Sequence, residues 1–298
     1  MIFVNGATDT PGCIAGAVVS GSLSYTKGVT LCAVGNVLGT VISCVLFPRV
    51  ARTVVFLADL PDYGIAAALS AAIAFSAAAW VFGIPTSESH GLIASLGGVS
   101  LCIKGHVGVS FGRMAVFCFL PCGVGALAGC FMMVLMRCTS LSGKEYRNVM
   151  CFSALGSSFC HGMQDGQKFA AILALSVAGG FLSTRFVLIA AAVLGFGCFF
   201  GGKKMVCKLG YDLAGEFCAP EAVASDIAAL ICTVLSSLAG IPVSTTYMKT
   251  FAMVGAAAPE KRKADVKTLC ELTVTWVLTY PVCVALAYVL CEVLYSLM

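Results

Sequence analysis

Charged side chains are scarce in this sequence. Only 11% of its 298 residues are charged and 59% are hydrophobic, whereas an ordinary soluble domain carries about 25% charged residues. Uncharged runs such as 28–47 and 64–82 have the length of the ~20 residues that cross a bilayer core as a helix. This composition excludes a soluble protein and predicts a multi-pass protein of the cell membrane.

Several sequence patterns are also missing. The motifs HExxH and GxSxG do not occur, which argues against an enzyme. The 17 cysteines form no CxxC pair, so we interpret them as small apolar residues and expect no cofactor. No long block of Lys or Arg indicates nucleic-acid binding, and strand-period alternation is absent, which disfavours a β-barrel.

What the sequence does contain is an internal repeat. Residues 83–89 (GIPTSES) recur as 240–246 (GIPVSTT), 157 positions later, and 5–9 (NGATD) align with 161–165 (HGMQD), 156 positions later. Glycine and proline therefore return at one nearly constant offset along the chain. Such self-similarity indicates two copies of one unit.

Each copy divides into five apolar segments. Because five is an odd number, the second copy enters the membrane from the opposite face if every segment crosses, as in many secondary transporters. We therefore expect an all-α membrane protein with about ten transmembrane or re-entrant segments and broken helices, in two inverted repeats (1–136 and 149–298) joined by a cytoplasmic linker (137–148). The predicted segments are 2–19, 28–47, 64–82, 86–103, 112–136, 149–180, 185–201, 225–239, 242–258 and 268–297.

The loop charges give this arrangement an orientation. Eleven Lys and Arg residues fall in the loops 20–27, 137–148, 203–224 and 259–267, against five in the others. The positive-inside rule makes the first set cytoplasmic. The apolar stretch before His161 has no counterpart before Asn5, so the repeat also predicts an upstream half helix that this chain lacks.

Ionisable residues inside apolar segments mark a candidate site. Each costs ~2.5–3.5 kcal/mol at the centre of a membrane helix, yet Asp9, Glu88, Asp165, Lys168 and Lys249 lie in such segments. Glycine flanks both aspartates and Pro11 follows Asp9, which predicts unwound backbone there. Carboxylates beside freed carbonyls and amide oxygens suit a hard cation such as Na⁺.

The repeated Gly-Ile-Pro-x-Ser segments predict helix starts. Pro and Ser are favoured in and just before a first helical turn, where the dipole and free N–H groups attract an anion. Because a divalent anion entering a negative cell is opposed by ~4.6 kcal/mol per 100 mV, accompanying cations and hence symport are expected. Five hydroxyls would bind a tetrahedral oxyanion, namely Ser87, Ser89, Ser244, Thr245 and Thr246.

These motifs resemble those of the PiT inorganic phosphate transporter family, over nearly the whole chain. The family's Gly-Ala-Asn-Asp element is similar to residues 5–9 and 161–168, and its Pro-Val-Ser-Thr-Thr-His element to 85–90 and 242–247. The resemblance implies a Na⁺- or H⁺-coupled phosphate symporter. It makes Asp9 and Asp165 cation ligands and the matching hydroxyls anion contacts, with Ser89 a weaker match because the family has Thr there.

Departures from the family pattern leave alternatives open. Thr8 and Gln164 replace the motif Asn, Glu88 replaces Thr, and Tyr247 replaces His. Glu88 would be a proton-coupling group or a further cation ligand, or it would repel phosphate unless it is protonated or paired with Lys249 or Lys168.

Several further expectations complete this interpretation. Asn5 and His161 join the coupling set, and Gln164 and Lys168 the anion set. A sulfate permease of the same fold and an anion channel are the rival functions. A homo-oligomer is compatible with the sequence, which does not fix the oligomeric state.

Overall fold

The computed structural model describes residues 1–57, 60–84, 86–106, 109–139, 141–178, 182–201, 203–207, 209, 218–261 and 265–297. Pro85 of the first repeated motif and the basic residues Lys208, Arg262 and Lys263 lie outside them. Within these ranges the fold is helical, as predicted. The α-helices are α1 (Ile2–Val19), α2 (Tyr25–Leu46), α3 (Arg49–Leu57), α4 (Asp62–Phe82), α5 (Glu88–Lys104), α6 (Val109–Met136), α7 (Gly143–His161), α8 (Gln167–Ala178), α9 (Thr184–Cys198), α10 (Lys203–Cys207), α11 (Ala219–Leu238), α12 (Thr245–Ala257) and α13 (Val266–Ser296).

Five stretches of the described helices are long and apolar enough to cross a membrane. They are Tyr25–Leu46, Asp62–Phe82, Phe119–Met136, Ala219–Leu238 and Val266–Ser296. Only 28% of the α6 stretch and 22% of the most apolar stretch of α13 are buried, so both present a broad apolar surface suited to lipid. The predicted total of ten segments stays a prediction, because the remaining helices are shorter or less apolar.

The shorter helices fill the centre of the bundle. In α1 the residues from Asn5 to Ala17 are buried, and in α5 those from Glu88 to Ser100. A π-helical turn (Gly162–Gly166) joins α7 to α8 and is buried throughout. The motif-bearing segments therefore meet away from lipid, where polar groups in a membrane protein can be satisfied.

Two glycines permit matching close contacts. A Cβ at Gly98 in α5 would lie 2.3 Å from the carbonyl oxygen of Val284 in α13, and one at Gly255 in α12 would lie 2.0 Å from that of Ala126 in α6. These glycines are 157 residues apart, the offset of the repeated motif. Each short helix thus packs on the long last helix of the other half, where small residues permit close approach.

The described parts of several loops predicted to be cytoplasmic lie close to one another. One apolar cluster joins the end of α1, the end of α6 and the start of α7 through Ala17, Met136 and Met150. Nearby, Arg137 Nε lies 2.9 Å from Glu260 Oε1, bringing the loops after α6 and α12 together. These contacts bring the described parts of the loops after α1, α6 and α12 close together.

The expectation of unwound backbone at both aspartates is wrong in its details. Helix α1 runs unbroken past Pro11, which removes a single hydrogen bond from the ladder. Gly6 serves close packing instead, because a Cβ there would lie 2.3 Å from the carbonyl oxygen of Leu194 in α9. In the second half the break is the π turn, a wider helical turn that is frequent at functional sites.

Candidate functional site

Three buried carboxylates surround the amide of Asn5. Asn5 Nδ2 lies 2.8 Å from Asp9 Oδ2, 3.1 Å from Asp165 Oδ2 and 3.4 Å from Glu88 Oε2. Thr8 donates a second hydrogen bond to Glu88, at 2.6 Å. All three acids are at most 4% exposed, so α1, α5 and the π turn bring together acids that are distant in sequence.

His161 repeats the position of Asn5 in the second half. Its Nε2 lies 3.3 Å from Asp9 Oδ2 and 3.3 Å from Asp165 Oδ2. Asn5 and His161 are 156 residues apart and each contacts both aspartates. Two equivalent residues thus make equivalent contacts across the halves.

The hydroxyls at the helix starts show the same reciprocity. Ser89 donates to Asp165 Oδ1 at 3.3 Å, and Thr246 donates to Asp9 Oδ1 at 2.8 Å. Each hydroxyl therefore contacts the aspartate of the opposite half. His90 and Tyr247, which are also equivalent, pack with their ring centroids 4.1 Å apart.

Three other residues predicted to bind the anion, Ser87, Ser244 and Gln164, form hydrogen bonds with backbone groups. Ser87 and Ser244 cap the first turns of α5 and α12, so the predicted helix starts are present. Gln164 donates to the carbonyl of Ile241 at 3.2 Å and accepts from the amide of Val243 at 3.3 Å. These residues position the segments around the carboxylates.

Lys168 is held by three acceptors. Its Nζ lies 2.7 Å from Asp165 Oδ1, 2.6 Å from Ser89 Oγ and 2.8 Å from the Val243 carbonyl oxygen. Its ion-pair partner is thus Asp165 and not Glu88. Because a lysine has three donor hydrogens, these contacts use its full capacity.

Lys249 also has a partner other than Glu88. It pairs with Asp226 of α11 and contacts Ser225 Oγ at 3.0 Å. Ser153 of α7 donates to the other oxygen of Asp226, at 2.7 Å. This second buried ion pair was missed from the sequence, although a carboxylate in an apolar segment was a signal that could have identified Asp226.

A polar stripe on α2 supports the π turn and was also missed. Asn36 Oδ1 lies 2.5 Å from His161 Nδ1, while Thr40 and Ser43 donate to the carbonyls of Gly162 and Met163 at 3.2 and 3.5 Å. These three side chains recur with helical spacing on one face of α2. They satisfy carbonyls at the break and orient the histidine toward the aspartates.

A cavity opens beside Asp9. It offers about 20 Å³ to the centres of water molecules, which is room for about one water. Asp9 and His161 form the wall of the cavity that faces the rest of the carboxylate cluster. The other lining residues come from α1, α7, α11 and α12, namely Gly12, Cys13, Ser157, Cys160, Ala229, Leu230, Thr233, Thr245, Thr246 and Lys249.

The carboxylate cluster carries an excess of negative charge. Among the residues that the structure describes, Lys168 is the lysine that pairs with this cluster, through Asp165, so three ionised carboxylates leave a formal charge of −2 when His161 is neutral. Ligand atoms of Asp9, His161 and Asp165 all lie within 4.8 Å of one another. Because oxygen donors suit hard cations and an uncompensated buried charge is costly, this arrangement is chemically suited to cations.

A helical membrane bundle with buried carboxylates at its centre is the architecture of a polytopic membrane transporter. Among solved structures, the chain is similar to "The sodium-dependent phosphate transporter", with a TM-score of 0.85 and 18% identity, over 100% of this chain and 97% of that one. At this identity the match establishes the fold.

Sequence relatives extend the comparison. A probable low-affinity inorganic phosphate transporter of Bacillus subtilis is 25% identical, over 94% of this chain and 90% of its own. A relative of the same description in Rhizobium meliloti is 30% identical, over 72% of this chain and 69% of its own. Another in Mycobacterium tuberculosis (strain ATCC 25618 / H37Rv) is 27% identical, over 94% and 71%.

The model of the phosphate transporter family matches residues 5–148 and again 139–287. The chain therefore belongs to the phosphate transporter family and is a multi-pass protein of the cell membrane. The resemblance inferred from the repeated motifs is confirmed. So is the expectation of a non-enzyme, because the relatives are transporters.

Proposed function

We propose that this protein is a secondary active transporter that carries inorganic phosphate across the cell membrane together with Na⁺. The observation that carries the proposal is the buried cluster of Asp9, Glu88 and Asp165, which faces one lysine. With all three carboxylates ionised and His161 neutral, the cluster would carry a charge of −2, which calls for about two monovalent cations. The names of the relatives and of the solved neighbour support phosphate as the substrate, and the neighbour's name supports sodium.

Cation binding and anion binding are linked through shared side chains. Thr246 donates to Asp9 and Ser89 donates to Asp165. A cation at either aspartate would compete for the carboxylate oxygen and free the hydroxyl to face an anion. In this mechanism sodium binds first, neutralises the carboxylates and prepares donors for phosphate, so neither ion would move alone.

Lys168 and Gln164 have supporting roles in this mechanism. Lys168 neutralises the charge of Asp165 and positions the hydroxyl of Ser89. Gln164 binds the backbone of Ile241, in the segment that precedes α12. Ser87 and Ser244 cap the two helices and leave other first-turn amides available for an anion. Asn5 and His161 keep the aspartates at a separation that a cation can bridge.

We further propose that the two halves are inverted repeats, with bounds 1–136 and 149–298 and a cytoplasmic linker at 137–148. Reciprocal contacts support this arrangement, because a two-fold axis makes residue i meet j wherever j meets i. Asn5 and His161 each contact both aspartates, and the equivalent rings of His90 and Tyr247 touch. Such symmetry permits alternating access by rocking one half against the other.

Labelled phosphate uptake into proteoliposomes tests the proposal, with sodium and proton gradients imposed separately. Sodium-driven accumulation above the external concentration, with little inhibition by excess sulfate, is the expected result. Accumulation driven by a proton gradient alone would identify H⁺, and not Na⁺, as the coupling ion. Strong inhibition by sulfate would favour a sulfate permease, and equilibration without accumulation would favour a channel.

A further inference from the structure

The cavity beside Asp9 has a wall of hydrogen-bond donors without partners. Ser157, Thr233 and Thr245 line it, and their hydroxyls make no hydrogen bond to any residue that the structure describes. Because polar groups that face an internal space are usually satisfied by water or a ligand, three such hydroxyls around one space indicate a polar occupant. None of the three belongs to the cation cluster.

Lys249 adds a positive charge to the same wall. It lines the cavity and is 3% exposed. Two of its three donor hydrogens are used by Ser225 and Asp226, which leaves one for a ligand in the cavity. A buried ion pair beside a polar space is a costly feature in a membrane protein, and it supplies a cation where the hydroxyls converge.

The residues around the cavity also locate it within the molecule. Cys13 follows Asp9 toward the end of α1, Ser157 precedes His161 toward the start of α7, and Lys249 follows Thr246 toward the end of α12. All three helix ends lead to the loops that the charge pattern makes cytoplasmic. The cavity therefore lies on the cytoplasmic side of the carboxylates.

We propose that this cavity is a second phosphate position, in which the anion pauses between the central cluster and the cytoplasm, bound by Lys249, Ser157, Thr233 and Thr245. The inference rests on the proposed function. Asp9 forms the inner wall, so an anion is admitted only after a cation has neutralised that carboxylate. Phosphate is larger than the present space, so its binding would require the walls of the cavity to move apart.

The carboxylate of Asp9, a hydrogen-bond acceptor in the cavity wall, favours phosphate over sulfate. An ionised carboxylate only accepts hydrogen bonds, and protonated phosphate carries a hydroxyl that can donate to Asp9. Sulfate at neutral pH has no such proton. Asp9 Oδ2, which faces Asn5 and His161 in the structure, would bind the cation, so the same aspartate would select the anion and couple it to sodium.

Equilibrium binding of labelled phosphate to the purified protein in saturating sodium tests the position. Ser157→Ala and Thr233→Val should each raise the Kd for phosphate about tenfold, as loss of a hydrogen bond to a charged ligand does. Thr273→Val is the matched control, because Thr273 is exposed on α13 and should leave the Kd unchanged. Gel-filtration profiles confirm that each variant is folded.

Substitutions of the two members of the Lys249–Asp226 pair should change the Kd for phosphate in opposite directions. Lys249→Gln should raise the Kd, whereas Asp226→Asn should lower it by releasing the lysine charge toward the cavity. A pair that only stabilises the fold would instead give weaker binding, or less folded protein, in both variants.

The outcomes separate the two proposals. Wild-type binding with unchanged affinity in both Ser157→Ala and Thr233→Val would overturn the cavity position and leave phosphate symport intact. No binding and no uptake by either the wild type or the Thr273→Val control would overturn phosphate transport and this position with it.

Discussion

The two halves of this protein place the same framework around their aspartates but fill the adjoining space differently. Beside Asp165, Lys168 occupies the space and bonds to three acceptors. The equivalent residue beside Asp9 is Gly12, 156 positions earlier, and there the structure has a cavity. Glu88 of the first half likewise corresponds to Thr245 of the second.

We infer that this difference makes the two ends of the transport path unequal. Residues that keep their role in both halves, such as Asn5 and His161, build a symmetric cluster around the aspartates. Residues that differ between the halves change the space around each aspartate. The side chain of Lys168 fills the space near Asp165, whereas Gly12 has no side chain and lines the cavity beside Asp9.

Removing the aspartate next to the cavity should have the largest effect. Asp9→Asn eliminates a cation ligand, and we expect sodium-driven phosphate uptake to fall at least about 100-fold, the equivalent of roughly 3 kcal/mol. Uptake into proteoliposomes measures it. Asp62→Asn, the same change at an exposed helix start, should transport normally, and retention of full activity by Asp9→Asn would contradict the cation role.

Breaking the filled side should damage the fold. Lys168→Met leaves Asp165 buried without its lysine, which we expect to lower the free energy of unfolding by about 3–5 kcal/mol. The double variant Asp165→Asn with Lys168→Met should recover most of that stability. Thermal unfolding in detergent measures both, with Lys144→Met as the exposed control; equal losses in the single and double variants would refute the pairing.

Filling the open side should remove the asymmetry. A Cβ at Gly12 meets no atom within 4 Å, so Gly12→Leu can enter the cavity without displacing the helix. We expect phosphate affinity to fall by about tenfold or more, since the leucine replaces a polar ligand space with hydrocarbon. Gly123→Leu is the matched control, because it is exposed on α6 with equal room. Unaltered affinity in Gly12→Leu would show that phosphate does not use the cavity.

Making the two helix starts alike should change the coupling. Glu88→Thr gives the first half the residue type of Thr245 and lowers the charge of the cluster from −2 to −1. We expect the number of sodium ions taken up with each phosphate to fall by about one. Glu88→Asp keeps the carboxylate and should keep the ratio, and an unchanged ratio in Glu88→Thr would assign Glu88 a different role.

The smallest effect belongs to the loop contact outside the membrane core. Arg137 and Glu260 are 2.9 Å apart, with side chains 48% and 35% exposed. Surface ion pairs contribute about 0–1 kcal/mol, so Arg137→Ala should lower the free energy of unfolding by less than about 1 kcal/mol. A loss as large as that of Lys168→Met would show that this loop contact matters more than its exposure indicates.

Much of this site could be predicted because its motifs occur twice in the sequence. Asp9 and Asp165 share an offset, and so do the helix starts capped by Ser87 and Ser244. What a single pattern could not decide was the choice of partners. Lys168 and Lys249 are both lysines in apolar segments, yet one meets Asp165 and the other Asp226, since pairing depends on how helices pack and not on local sequence.

Two other features lay beyond sequence reasoning for physical reasons. Glycine beside an aspartate indicates either unwinding or close packing, and only the position of α9 reveals that Gly6 serves packing. Asn36 is one amide in a long apolar helix, and its role emerges only when α2 lies against the π turn and its oxygen meets His161.

Simultaneous measurement of labelled sodium and labelled phosphate uptake in one set of proteoliposomes tests the central claim most directly. The charge of the cluster predicts about two sodium ions with each phosphate, and no phosphate accumulation when sodium is replaced by potassium. Phosphate accumulation at the same rate without sodium, or with no sodium entering alongside it, would contradict the claim that these buried carboxylates couple the two ions.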